Sequence, residues 1–155
     1  MTFDSILSLV AFMFSSTSLV LLYAERQRSR KTEMTMRMYE IWTSEAMRVH
    51  RSNAWDMMDQ LERSESTVKW PEAEKSIRRC LSPVRHFAGD VEALADADRL
   101  DIGLAVTLFG TTLRNHLQRM EDVIELDSPD YLTIAMKKLN KAFSDYGDAS
   151  RRRQG

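Results

Sequence analysis

The chain has few of the residues that interrupt helices or cross-link small folds. It contains one cysteine, three prolines and five glycines in 155 residues. A single cysteine, Cys80, excludes an intrachain disulfide framework and suits a reducing compartment; we expect it to be a small buried residue, as free cysteines usually are. Because the first proline is Pro71 and the first glycine is Gly89, no strong helix breaker precedes residue 66.

Motifs of catalysis and metal binding are also missing. The three histidines, His50, His86 and His116, fall on three different predicted helices, without the HxxxH or ExxH pairs of helical metal sites. His116 follows an apolar stripe, which favours a core or boundary position. Cys80 has no identifiable base nearby, because His86 is six residues away and on another helix face. We therefore predict that the protein is not an enzyme and holds no metal or cofactor.

The longest apolar stretch lies at the N-terminus. Ile6 to Tyr23 contains no charged residue, glycine or proline, and crossing the hydrocarbon of a bilayer takes roughly 20 such residues. A secretory signal peptide is the alternative, but MTFDS before the stretch has no basic residue and LLYAER after it is a poor cleavage site. We predict a retained transmembrane helix over residues 6–24, preceded by a short non-cytoplasmic stub at residues 1–5.

A basic flank sets the predicted orientation. Arg26, Arg28, Arg30 and Lys31 follow the apolar stretch, and no lysine or arginine precedes it. The positive-inside rule then places residues 25–147 in the cytoplasm and the N-terminus outside the inner (plasma) membrane. The same four side chains are expected to face anionic lipid headgroups, at about 1 kcal/mol for each charge.

Apolar residues recur at helical spacing through the rest of the chain, and no segment alternates as a strand would. We therefore predict an all-α protein, a single membrane helix followed by an antiparallel bundle of about four helices. The first helix either continues from about Ser5 to about Ser64 or breaks between Ser29 and Thr35; the later helices begin at Pro71, after a turn at residues 98–101, and after Ser128.

Three details of these helices are predicted from single residues. Pro83 should kink or divide the second cytoplasmic helix near Cys80. Gly110 indicates a close helix crossing, because glycine costs roughly 1 kcal/mol relative to alanine inside a helix. Gly147 is expected to cap the last helix in a left-handed conformation, leaving residues 148–155 as a polar basic tail.

A polar and aromatic segment after the anchor is the candidate binding region. Glu45 and Arg48 are three residues apart and can pair on a helix, and Arg48, Arg51 and Trp55 follow at spacings that favour arginine–aromatic stacking. On one continuous helix Trp42 and Trp55 would face some 140° apart and could not share a seam. The predicted partner-binding residues are Met38, Trp42, Glu45, Arg48, Arg51 and Trp55; the alternative is a boundary helix with ordinary ion pairs.

Two short stretches resemble the bacterial domain of unknown function 4760. They are Trp42 to Trp55, with its Trp-x-Ser-x-x-Met-x-x-x-Arg pattern, and Leu100-Asp101-Ile102-Gly103-Leu104 through Leu108-Phe109-Gly110. The resemblance covers about residues 38–143 and departs from the family at His116, where an aromatic residue is usual. It implies an anchored or soluble helical domain and no known activity.

The function predicted from these observations is non-enzymatic. We expect an accessory subunit, adaptor or tether whose cytoplasmic bundle binds a protein partner in a larger membrane assembly. The alternative is a regulatory or defence-type sensor that self-associates on a cytoplasmic signal. The net charge of −1 gives no reason to expect a specific nucleic-acid partner, and the basic tail is expected to be solvated.

Overall fold

A computed structural model describes residues 3–64, 67–125 and 131–152, with no side chains before Thr17. These residues are mostly helical, so the all-α prediction is confirmed, and they form a helical bundle. The helices are α1 (Phe3–Thr43), α2 (Glu45–Arg63), α3 (Lys75–Asp96), α4 (Ile102–Ala105), α5 (Thr111–Val123) and α6 (Tyr131–Arg152), with a 3₁₀ turn at Trp70–Glu72, a π-helical turn at Val106–Gly110, and strands β1 (Val68–Lys69) and β2 (Ile124–Glu125).

Helix α1 is uninterrupted between residues 29 and 35 and stops at Ser44, so neither predicted end point is right. Ser44 leaves the helical conformation with a ψ of 151°. Its hydroxyl donates to the Ile41 carbonyl oxygen at 2.7 Å and accepts from the Met47 amide at 3.3 Å. One serine therefore ends α1 and caps the N-terminus of α2, as serine commonly does.

Within the described part of the chain, no helix combines the length and apolarity that a membrane crossing requires. The prediction of a transmembrane helix over residues 6–24 depends chiefly on residues before Thr17, whose side chains are outside the described part of the structure. Residues 1 and 2 of the predicted stub also lie outside the described residues.

Helix α3 begins later than predicted and is not divided at Pro83. Pro71 belongs to the 3₁₀ turn, and α3 begins only at Lys75, after extended backbone at Glu74. Pro83 lies inside α3 without dividing it. Pro83 removes one backbone donor, but the fully buried neighbours Leu81 and Val84 anchor the helix on both sides of it.

The turn between α3 and α4 confirms the prediction for residues 98–101. Asp98 has a left-handed φ of 54°, its amide donates to the Ala95 carbonyl at 3.0 Å, and the Arg99 amide donates to the Leu94 carbonyl at 2.8 Å. These two bonds form a Schellman motif. Asp101 then caps α4 by accepting from the Leu104 amide at 3.0 Å.

Gly110 has a different role from the predicted helix crossing. A Cβ added there would lie 3.3 Å from the Val106 Cβ, in the preceding π-helical turn. The nearest atoms therefore belong to its own helical segment rather than to a neighbour. The close approach between helices occurs instead at Gly103, where a Cβ would collide with the hydroxyl of Tyr146 on α6.

A minimal parallel ladder, absent from the sequence prediction, pairs Val68 of β1 with Ile124 of β2.

The end of the chain also differs from the prediction. Helix α6 continues through Gly147, and no glycine of the described residues has a positive φ, so neither the Gly147 cap nor a non-helical tail from residue 148 is found as far as residue 152. The predicted cap at Ser128 lies outside the described residues.

The core lies between α1, α2, α3, α5 and α6. The apolar stripes predicted for α3 and α5 are largely buried, whereas Cys80 is only half-buried. Two charged residues are buried that the apolar pattern did not indicate, Arg85 at 0% exposed and Glu92 at 4%. The Arg85 guanidinium lies 3.7 Å over the ring of Trp70, which gives the buried cation an aromatic face.

Candidate functional site

A continuous series of ring and guanidinium contacts lies where α1, α2 and α5 meet. The Arg51 guanidinium lies 4.5 Å over the Trp42 ring, and the Trp42 ring meets His116 edge-on with 5.8 Å between centroids. His116 meets Trp55 at 5.2 Å, and the Arg119 guanidinium lies 4.3 Å over Trp55. We call Arg51, Trp42, His116, Trp55 and Arg119 the aromatic–arginine stack.

The outer end of the stack is fixed by two carboxylates of α2. Arg119 donates from Nε and Nη2 to the two oxygens of Glu62, at 2.9 and 2.6 Å, and from Nη2 to Asp59. The hydrogen bond with Glu62 raises the pKa of Arg119, and the same bond lowers the pKa of Glu62. Arg119 is therefore held in one orientation over Trp55, because a bidentate guanidinium–carboxylate pair restricts direction as well as distance.

The centre of the stack is a buried histidine. His116 donates from Nδ1 to the Thr112 carbonyl oxygen at 2.9 Å. Burial is the main cause that lowers its pKa, and the positive charges of Arg51 and Arg119 lower it further, while the hydrogen bond to Thr112 acts in the opposite direction. The imidazole is consequently neutral near pH 7 and presents its ring to the two indoles.

The stack extends inward to the core through Trp42. Trp42 is 2% exposed and lies 4.8 Å from the ring of Phe87 on α3, which in turn contacts Phe109 at 5.8 Å. Trp55 at the other end is 38% exposed. The same series of contacts therefore connects the hydrophobic core to an exposed indole.

The helix break at Ser44 lies between the two tryptophans. The prediction that they cannot share a seam assumed one continuous helix, and this condition is not met because α2 begins anew after Ser44. His116, from a distant part of the sequence, contacts both rings.

The structure places some of the predicted partner-binding residues in the core and others on the surface. Met38 and Trp42 are 5% and 2% exposed, so their side chains belong to the core and offer no surface. Glu45 and Arg48 form the expected ion pair and are exposed. Arg51 stacks on Trp42 and not on Trp55.

The residues that sequence reasoning missed are Arg119, Asp59 and Glu62. His116 and Arg119 are three residues apart on α5, as are Asp59 and Glu62 on α2, so each pair shares a helix face. That spacing was visible in the sequence. The pairing of the two faces was not, because it depends on how α2 packs against α5.

The predicted membrane-surface residues have different environments. Arg26, Arg28 and Arg30 are exposed on α1. Lys31 is half-buried, and its Nζ lies 2.6 Å from a carboxylate oxygen of Asp98. Lys31 thus pairs with the turn before α4 and is only partly available to a lipid headgroup.

Residues with potential for metal or nucleophilic chemistry are dispersed. His50 and His86 are exposed on α2 and α3, away from buried His116. No group of three His, Cys, Asp or Glu side chains in the described ranges is placed to hold a metal ion.

Comparison with known proteins gave no relative. No family model matches the chain, no curated protein matches it, and no solved structure matches it. The resemblance to the domain of unknown function 4760 stays a prediction from short motifs.

Proposed function

We propose that this protein is a non-enzymatic, single-pass membrane protein whose cytoplasmic helical bundle binds a protein partner as an accessory subunit, adaptor or tether. The observation that carries the proposal is Trp55, a 38% exposed indole held between His116 and Arg119. Tryptophan and arginine are the residues most enriched among those that dominate protein–protein binding energies.

The fixed position of Trp55 favours binding. An interface side chain that becomes immobilised on association costs about 0.5–1.5 kcal/mol in lost rotamer freedom. Because the ring of Trp55 already rests between an imidazole and an anchored guanidinium, part of that cost is met before a partner arrives. A rigid exposed indole is thus a suitable anchor for a complementary pocket.

Helix α2 also exposes apolar and charged residues about two to three turns before Trp55. Val49 on α2 is 49% exposed, and Glu45 and Arg48 form an exposed ion pair. Exposed apolar residues together with paired charges are typical of protein interfaces. We propose that the partner covers α2 and the adjoining face of α5.

The membrane part of the proposal rests on the sequence. The uncharged stretch in residues 6–24 and the basic flank at Arg26 to Lys31 support an inner-membrane helix with its N-terminus outside. Helix α1 leads into the bundle without interruption as far as Thr43, so an anchor there would be a short, stiff tether. Alkaline extraction of membranes tests this part, because an integral protein stays in the pellet and a peripheral one is released.

The partner-binding part is tested by substitution of the exposed indole. The full chain is cross-linked in cells, solubilised in mild detergent and purified, and copurifying proteins are quantified. We expect Trp55→Ala to reduce recovery of a stoichiometric partner at least tenfold, since a hot-spot truncation costs about 2 kcal/mol or more. Ile134→Ala, at a 48% exposed apolar residue on α6, should leave recovery unchanged.

Two results would contradict the adaptor function. One is a monodisperse monomer without a stoichiometric partner; the other is equal recovery with Trp55→Ala and Ile134→Ala. Self-association of the wild-type chain that changes with a cytoplasmic ligand would instead support the sensor function.

A further inference from the structure

A second surface feature lies between α1 and the turn before α4. It is a cleft of about 310 Å³ whose lining includes Arg30, Lys31, Arg37 and Arg99 but only one acidic residue, Glu33. We call it the basic cleft. Its volume is at the lower end of the range for small-molecule sites.

The charge in the basic cleft is only partly neutralised. Lys31 is paired with Asp98, so three arginines remain against Glu33, a local excess of two positive charges. Within the described residues, no ion pair or side-chain hydrogen bond engages Arg30, Arg37 or Arg99. Guanidinium groups prefer planar, bidentate contacts with phosphate oxygens, and an excess of two charges matches a phosphate monoester dianion.

Two elements build the cleft, and both are fixed. Arg30 and Arg37 are seven residues apart, which places them on the same face of α1 about 10 Å apart along its axis. Arg99 follows the left-handed Asp98 in the Schellman motif. Thr35 is fully buried; its hydroxyl accepts from the Asp101 amide at 2.9 Å and donates to the Lys31 carbonyl at 2.8 Å, so the turn is attached to α1.

We propose that the basic cleft binds a phosphate monoester through Arg30, Arg37 and Arg99. The ester is either a soluble metabolite or the headgroup of a lipid such as phosphatidic acid. The lipid source rests on the proposed membrane anchoring: Arg30 would lie about 9 Å and Arg37 about 20 Å beyond residue 24 along α1. Because a headgroup layer is about 5–8 Å thick, a lipid phosphate would meet Arg30 first and would have to leave the layer to reach Arg37.

The test uses the full chain and two probes. In detergent micelles, binding of glycerol 3-phosphate is measured by calorimetry. In nanodiscs, the chain is placed in phosphatidylcholine alone or with phosphatidic acid or phosphatidylglycerol, and retention of each anionic lipid after detergent extraction is quantified. We expect Arg37→Gln and Arg99→Gln each to weaken binding roughly tenfold, the equivalent of about 1.4 kcal/mol.

The matched control is Arg79→Gln, at an exposed arginine on α3 and outside the cleft. Binding of the soluble ester alone supports the proposal and identifies a metabolite as the source. Preferential retention of phosphatidic acid over phosphatidylglycerol supports it and identifies a lipid. In either case Arg37→Gln and Arg99→Gln must reduce the binding and the control must not. Three results overturn the proposal: an equal loss of binding in the control, equal retention of both lipids without ester binding, or no binding of either probe. Because Trp55 plays no part, the result is independent of partner recovery.

Discussion

His116 is a titratable group enclosed by two indoles and flanked by two guanidinium groups. Burial lowers its pKa, and Arg51 and Arg119 lower it further, so the folded state prefers the neutral ring. The unfolded chain has the ordinary pKa of about 6.5 and therefore binds more protons in the interval below it. The free energy of unfolding must fall as the pH drops through that interval.

We expect His116→Phe to remove this contribution to the pH dependence. Phenylalanine keeps an aromatic ring between Trp42 and Trp55 but cannot take up a proton, so the wild type should lose stability between about pH 7 and pH 5 more steeply than the variant. Thermal melts of the full chain in detergent measure this, with His50→Phe at an exposed position as control. Parallel pH profiles for wild type and His116→Phe would contradict the assignment.

Single residues also show what the sequence can predict at this scale. The burial of His116 follows from its place on an apolar stripe of α5 and was predicted. Its contact with both tryptophans was not, because it depends on a helix break at Ser44 that no proline or glycine marks. Arg85 lay outside the predicted core because its charge indicates surface, whereas in the structure it is buried against Trp70.

At the scale of elements, the α1–α2 junction depends on Ser44. Its side chain satisfies the Met47 amide and also bonds the Ile41 carbonyl, so Ser44→Ala removes a cap worth about 1 kcal/mol. We expect chemical denaturation to show a loss of that size. Ser52→Ala, at an exposed position inside α2, should be neutral or slightly stabilising, because alanine has the higher helix propensity. Equal effects of the two substitutions would show that Ser44 is not a functioning cap.

Helix existence was more predictable than helix ends. The apolar repeats of α3 and α5 predicted both helices. The start of α3 was misplaced at Pro71 because proline suits the first position of an α-helix and of a 3₁₀ turn equally. Helix α6 continues past Gly147, since a glycine permits a left-handed cap without requiring one. The local sequence determines neither whether Pro71 begins an α-helix or a 3₁₀ turn, nor whether α6 ends at Gly147.

At the scale of the whole molecule, α6 is connected to α3 by a charged contact at the edge of the core. The Lys138 ammonium lies 3.5 Å from a Glu92 oxygen and 3.6 Å from an Asp96 oxygen. The Glu92 side chain is only 6% exposed, whereas that of Lys138 is 60% exposed. Lys138 therefore compensates a carboxylate that has little access to water.

We expect Lys138→Gln to destabilise the fold by about 1–3 kcal/mol, because a buried carboxylate that loses its partner keeps its desolvation cost. Adding Glu92→Gln should recover much of the loss. Denaturation of the full chain measures both changes, and Lys141→Gln, at an exposed lysine on the same helix, serves as control. A loss equal to that of the control, or no recovery in the double variant, would contradict this role of the pair.

The 41 residues of α1 have one more consequence if the anchor is placed as proposed. A helix turns by 100° for each residue, and α1 has no joint before Thr43 at which that rotation could be absorbed. The residue count between the bilayer and Ser44 therefore sets the azimuth at which Trp55 faces other proteins in the same membrane. One inserted residue would turn Trp55 away by more than a quarter of a revolution, whereas seven would return it almost to its starting direction.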